Sequence, residues 1–192
     1  LYFEPAAAGA VPVVKALTDS LQANQVSSVM GIINGTTNYI LTKMADEKWD
    51  YADALKTAQA LGYAEPDPTN DVEGFDTAYK LAILASLAFN KRIDIEDVFI
   101  KGITNITADD VEIAHELGYS IKLLAIGKQG ADEIEARVHA TMIPLDHPLS
   151  TVSGPFNAIF IEGNAAGPLM FYGRGAGDLP TASAVVSDII NA

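Results

Sequence analysis

Residues 62–89 read GYAEPDPTNDVEGFDTAYKLAILASLAF. The first nineteen hold five carboxylates, Glu65, Asp67, Asp71, Glu73 and Asp76, and a single base, Lys80. The last nine form the most apolar run in the chain. Pro66 and Pro68 with the following TND cluster force a loop. Asn70 and Glu73 have the spacing of a capping box, with Asn in place of the usual Ser or Thr. The spacing predicts a helix from about residue 71 to residue 89. Because LAILASLAF is apolar all round, that helix belongs inside a core, under a sheet or between layers.

On such a helix Asp76 and Lys80 stand i,i+4, on one face, with the acid on the favoured N-terminal side. A lysine leading into a buried helix is costly unless a carboxylate accompanies it. The bland reading is a structural ion pair at the core margin, with the other acids solvated. The sharper reading is a partly buried acid–lysine cluster that binds an ammonium group and moves a proton. Its support is the surplus of acids over bases and the rigid EPDP loop, which sets Glu65 near the helix start.

Outward from this segment, residues 11–23 read as an amphipathic helix with Pro12 in its first turn. VSSVMGIIN (26–34) reads as a strand, and GTTNYILTKMADE (35–47) as a helix begun at a Gly-Thr turn. Residues 50–62 form a helix with Asp50 as N-cap and Gly62 as its stop. ADDVEIAHELG (108–118) is another helix. Thereafter the pattern changes to strands at 121–128, 133–144, 157–163 and 167–173, and the chain closes on a helix over 180–191. Helices first and neighbouring strands later give an α+β class, a single mixed β-sheet with helices packed on one face.

The 192 residues suit one domain and are 49% hydrophobic, enough for a core. Twenty-five acids against 12 bases leave a net charge of −13, which repels a phosphate backbone and argues against nucleic acid. No run reaches the roughly 18 to 20 apolar residues of a membrane span. The chain has no cysteine, so disulfides and thiolate sites are excluded and a reducing cytoplasm is compatible. His115, His139 and His147 show no metal-ligand spacing.

GIINGTTNYILTKM (31–44), LGYAEPDPTNDVEGFDTAYKLAILA (61–85), HPLSTVSGPFNAIFIEG (147–163) and FYGRGAGDLPTASAVVSDI (171–189) occur in this order. Together they resemble the substrate-binding and catalytic domain of homoserine dehydrogenase over nearly the whole chain. The resemblance implies NAD(P)-dependent interconversion of L-aspartate 4-semialdehyde and L-homoserine, on the route to threonine, methionine and isoleucine. It implies a cytoplasmic enzyme that takes a small amino-acid substrate and pairs as a homodimer through this domain. It also implies that Glu65 and Asp76 hold the substrate's amino group, that Lys80 is the proton donor, and that Gly35 and Thr36 line the same pocket.

EPAAAGAV (4–11) resembles the family's monovalent-cation loop, implying Na+ or K+ ligands at Glu4, Ala7, Gly9 and Val11. Pro5 and Ala7 depart from the residues more usual there, and a Gly/Ala-rich turn would read the same. GRGAGDLP (173–180) resembles the segment that borders the cofactor, implying contacts from Gly173 and Gly175. Asp178 stands where a GxGxxG fingerprint needs glycine, so this loop supplies an edge and not a nucleotide site. No βαβ unit opens the chain and no GxGxxG follows a first strand. Residues 1–192 are therefore expected to be the catalytic and dimerisation domain without its Rossmann cofactor domain. Two functional classes remain open: the catalytic part of an oxidoreductase, or a binding and dimerisation module inert by itself. A reductase of another aldehyde on a related fold is a lesser third.

Overall fold

The computed structural model describes residues 1–192. Its frame is one six-stranded sheet in the order β2-β4-β3-β1-β5-β6. The strands are β1 (Val26–Ile32), β2 (Phe99–Ile100), β3 (Tyr119–Gln129), β4 (Ile134–Pro144), β5 (Phe156–Gly163) and β6 (Gly167–Arg174). All neighbours run antiparallel except β2 and β4, whose parallel pairing makes the sheet mixed, as the α+β reading expected. The short β2 is the one strand with no sequence pattern to announce it.

The helices are α1 (Val13–Lys15), α2 (Gly35–Glu47), α3 (Tyr51–Ala60), α4 (Thr69–Val72), α5 (Phe75–Phe89), α6 (Ala108–Glu116) and α7 (Asp178–Asn191). The apolar run forms α5. Leu81, Leu84, Ala85 and Phe89 are buried in the main core, which also takes Val29 of β1, Leu123 and Ala125 of β3, and Val138 of β4. Residues 122–127 of β3 are all buried, so this central strand is covered on both faces. A smaller cluster on the second face joins Ile32, Leu124, Ile126, Ala158 and Phe160 to Leu149 and Val152 of the segment after β4.

Two expected helices are broken. The helix expected over 11–23 is α1 followed by a wide turn over Ala16–Ser20, where Leu21 N donates to Ala16 O. The helix expected from 71 to 89 divides at Gly74, whose φ of +89° ends α4 before α5 begins. The physical cause is a backbone docking: Ile103 N donates to Val72 O at 2.8 Å, diverting the carbonyl that a continuous helix would use. The Asn70–Glu73 capping box does not form. Asp67 instead accepts from Thr69 N at 3.1 Å and Thr69 Oγ1 at 2.6 Å, opening α4. The break matters for chemistry, because it turns Asp71 back towards Asp76.

Candidate functional site

β1 ends at Ile32, and Asn34 then caps α2, its Oδ1 accepting from Thr37 N at 2.9 Å. The other end of that amide is aimed at the acids. Asn34 Nδ2 donates to Asp71 Oδ1 at 2.6 Å and to Asp76 Oδ2 at 2.9 Å. Asp76 Oδ2 also accepts from Lys80 Nζ at 2.7 Å, the i,i+4 pair expected on α5, and Lys80 Nζ reaches Ile33 O at 3.3 Å. A strand end, a helix cap, α4 and α5 thus converge on two carboxylates and one ammonium.

These groups line a cavity of about 360 Å³. Lys80 and Asp76 neutralise one another and Asp71 is left over. Burial pushes the Asp71 carboxyl up from its ordinary range, and the neighbouring Asp76 pushes the same way, while the Asn34 hydrogen bond and Lys80 oppose them. A half-buried carboxylate in surplus favours a cation, and an ammonium arriving in the cavity would supply it. Gly35 and Thr36 lie in the same wall, and Thr36 Oγ1 donates to Tyr63 O at 2.5 Å. The opposite wall comprises Asn157 and the segment Arg174–Gly177.

Of the residues singled out in the sequence, Lys80, Asp76, Gly35, Thr36 and Gly175 come together here. Glu65 is exposed on the loop outside the lining, with its carbonyl accepting from Gln59 Nε2 at 3.2 Å. Gly173 is in β6, opposite Asn157 of β5. Asp71 and Asn34 are the residues the sequence reading missed. Asp71 was counted among the acids, but a helix continuous from 71 to 89 would not fold it back; the signal was Gly74.

Glu4, Ala7, Gly9 and Val11 lie together in the loop before α1. Glu4 is buried, its Oε1 accepting from Val14 N at 2.9 Å and its Oε2 from Lys15 N at 2.7 Å, and burial pushes its carboxyl up. Val11 O accepts from Val13 N at 2.8 Å. The donor set is all oxygen, as a hard cation requires, but the carboxylate and the Val11 carbonyl are already engaged within the chain. What the loop visibly does is pack. Gly9 lies against Gly175, where a Cβ would stand 2.4 Å from Gly175 O, and a Cβ on Gly175 would stand 1.8 Å from Asn157 Nδ2. The three residues stack with no room for side chains between them.

A sequence model described as homoserine dehydrogenase matches residues 12–190. The chain belongs to the homoserine dehydrogenase family. It is 57% identical over 197 residues to the homoserine dehydrogenase of Corynebacterium glutamicum, covering all of this chain and 44% of that protein. It is 50% identical over 190 residues to that of Bacillus subtilis, covering 99% of this chain and 44% of that one. The crystal structure of a homoserine dehydrogenase from Thiobacillus denitrificans superposes with a TM-score of 0.97 at 49% identity, over 98% of this chain and 44% of that chain. A hyperthermophilic archaeal homoserine dehydrogenase in complex with NADPH superposes at 0.84 with 29% identity, over 99% of this chain and 54% of that one. The chain therefore spans less than half the length of these curated relatives. The family is one of oxidoreductases, and the NADPH belongs to that archaeal neighbour.

Proposed function

We propose that the chain is the substrate-binding and catalytic part of an enzyme interconverting L-aspartate 4-semialdehyde and L-homoserine with NAD(P)(H), serving threonine, methionine and isoleucine synthesis in the cytoplasm. The observation that carries this reading is Lys80 held on Asp76 beside the surplus carboxylate of Asp71. Asp71 and Asp76 receive the substrate's α-ammonium; Glu65 joins them if its loop closes over the cavity. Gly35 and Thr36, at the start of α2, border the rest of the amino-acid frame. A simple aldehyde lacks the ammonium and gains nothing from these acids, so they select an amino acid.

A nicotinamide, when bound, would supply hydride to the aldehyde carbon or, in the reverse direction, accept it from the carbinol carbon of homoserine. The chain's own part is the proton. As negative charge builds on the carbonyl oxygen, the Lys80 ammonium stabilises it and gives up a proton to form the hydroxyl; in the reverse direction the amine takes it back. Gly175 and Gly177, with Ala176, offer a wall without bulky side chains against which a flat ring could lie, and Gly173 supports that wall through β6. Residues 1–192 contribute this edge, and a separate Rossmann domain supplies the nucleotide site, which agrees with a chain spanning 44% of its relatives.

Homodimerisation is supported by the sheet face away from the helices, where Met170 and Tyr172 are exposed beside Phe160. No helix is long and apolar enough to cross a membrane. The alternative, a binding and dimerisation module inert by itself, fits the same spanned length. Two assays separate them: homoserine titrated into this chain, and nicotinamide-coupled turnover of aspartate 4-semialdehyde by a complete enzyme carrying it. Binding with turnover is expected. Binding without turnover leaves the module, and absence of both refutes the reading.

A further inference from the structure

β5 alternates regularly until its start. Ile159 and Ile161 point into the main core, and Asn157 occupies the next position of the same row. It is 1% exposed, yet its Oδ1 is buried with no hydrogen-bond partner. An amide placed where an aliphatic residue would satisfy the fold, and left partly unpaired, is not there for stability. With Oδ1 turned inward, Nδ2 is the end beside Gly175, in the cavity wall.

The register places this amide near the proton donor. Ile32 pairs with Ala158, so continuing one residue sets Ile33 opposite Asn157. Ile33 O is the carbonyl that Lys80 Nζ reaches. The strand pairing therefore brings Asn157 and Lys80 to the same cavity, with Asn157 beside Gly175 in its wall. A substrate held by its ammonium on Asp71 and Asp76 would extend its reacting end along this lining. An aldehyde oxygen has two lone pairs. Lys80 serves one, and the other is open to a second donor from the lining.

Resting on the function proposed above, we infer that Asn157 is a substrate-contacting residue whose Nδ2 donates a hydrogen bond to the reacting oxygen, alongside Lys80. The bond strengthens as charge develops on that oxygen, so its effect falls on the transition state. The glycine stack behind it, Gly9 on Gly175 on Asn157, holds the amide in one orientation.

The test is steady-state kinetics of Asn157→Leu and Asn157→Asp in a complete enzyme carrying this chain, with thermal unfolding and Lys80→Met alongside. Leucine keeps the branched shape without polarity; aspartate keeps the shape and replaces the donor with an acceptor. In each variant that folds, kcat should fall roughly 10²-fold while the homoserine KM stays within about threefold. Asn157→Leu should unfold no earlier than the parent, because it removes an unpaired buried amide. A folded variant with kcat within about threefold of the parent overturns the inference. So does a loss confined to the cofactor's KM, or failure of both variants to fold, which would make Asn157 structural. If Asn157 variants are unaffected while Lys80→Met loses kcat, only this inference fails. A parent without activity overturns both.

Discussion

Lys122 makes the sharpest prediction that is independent of any substrate. It sits within the apolar centre of β3, 4% exposed, with Nζ donating to Val152 O at 2.7 Å and to Asn38 Oδ1 at 3.3 Å and no carboxylate in contact. Asn38 Nδ2 also donates to Gly154 O at 2.9 Å, so together they fasten the segment leading to Pro155 and Phe156 of the cavity wall. Burial lowers the Lys122 pKa from 10.5 to about 8, with Asp46 opposing weakly from a distance. Between those values the unfolded chain holds a proton that the folded chain has lost, so stability rises with pH across that window. From about pH 7 to about pH 10 the linkage amounts to about 2 to 3 kcal/mol. Lys122→Met removes it, and hydrogen bonds lost with the lysine shift the variant equally at both pH values. Urea unfolding of parent and variant, at one protein concentration, should show the parent gaining that amount over the variant between the two pH values. A gap constant to within about 0.5 kcal/mol would refute the reasoning and mean that two neutral acceptors keep the ammonium charged.

Asp71→Asn removes one charge-assisted contact worth about 1.5 to 3 kcal/mol, so homoserine should bind roughly 10- to 100-fold more weakly by calorimetry; an unchanged affinity removes Asp71 from the site. In the parent, affinity should fall as pH drops, and should begin to fall above the ordinary aspartate value of 3.8, because burial raises the Asp71 pKa and its protonation discards the charge. Gly175→Ala forces a methyl onto the Asn157 amide, costing about 1 to 3 kcal/mol in thermal unfolding; a neutral result would mean that the stack yields freely. Sedimentation of the folded chain at micromolar concentration should give a dimer, and a monomer would count against pairing through this sheet.

How much of this was legible in the sequence varied with what each element depends on. Periodicity found α2, α3, α5 and the four long strands, because each packs a face against one of the two clusters beside the sheet, and it found α7 although only Ala184 of that helix is buried. LAILASLAF was read correctly as buried, since no residue from 81 to 89 is exposed. Asp76 and Lys80 were placed by helical spacing alone. What failed was long-range. The interruption at Gly74 depends on Ile103 reaching Val72, thirty-one positions away in the chain, and β2 exists through its pairing with Arg137 and Val138. Asp71 was hidden by the same interruption. Asn34 reads as the last residue of a strand, and only the folded chain shows it capping α2 with its amide bridging two acids. Lys122 had a visible signal, a charge inside an apolar strand, but its partners lie on α2 and the segment before β5.

The claim at the centre is that Lys80 carries the proton and is more than the partner of Asp76. The direct measurement is the kcat of folded Lys80→Met in a complete enzyme carrying this chain, with thermal stability recorded on the same samples. The account predicts a fall of about 10²- to 10⁴-fold, the usual worth of general acid catalysis, with the enzyme still folded. A kcat within about threefold of the parent would contradict it and leave Lys80 a structural ion pair.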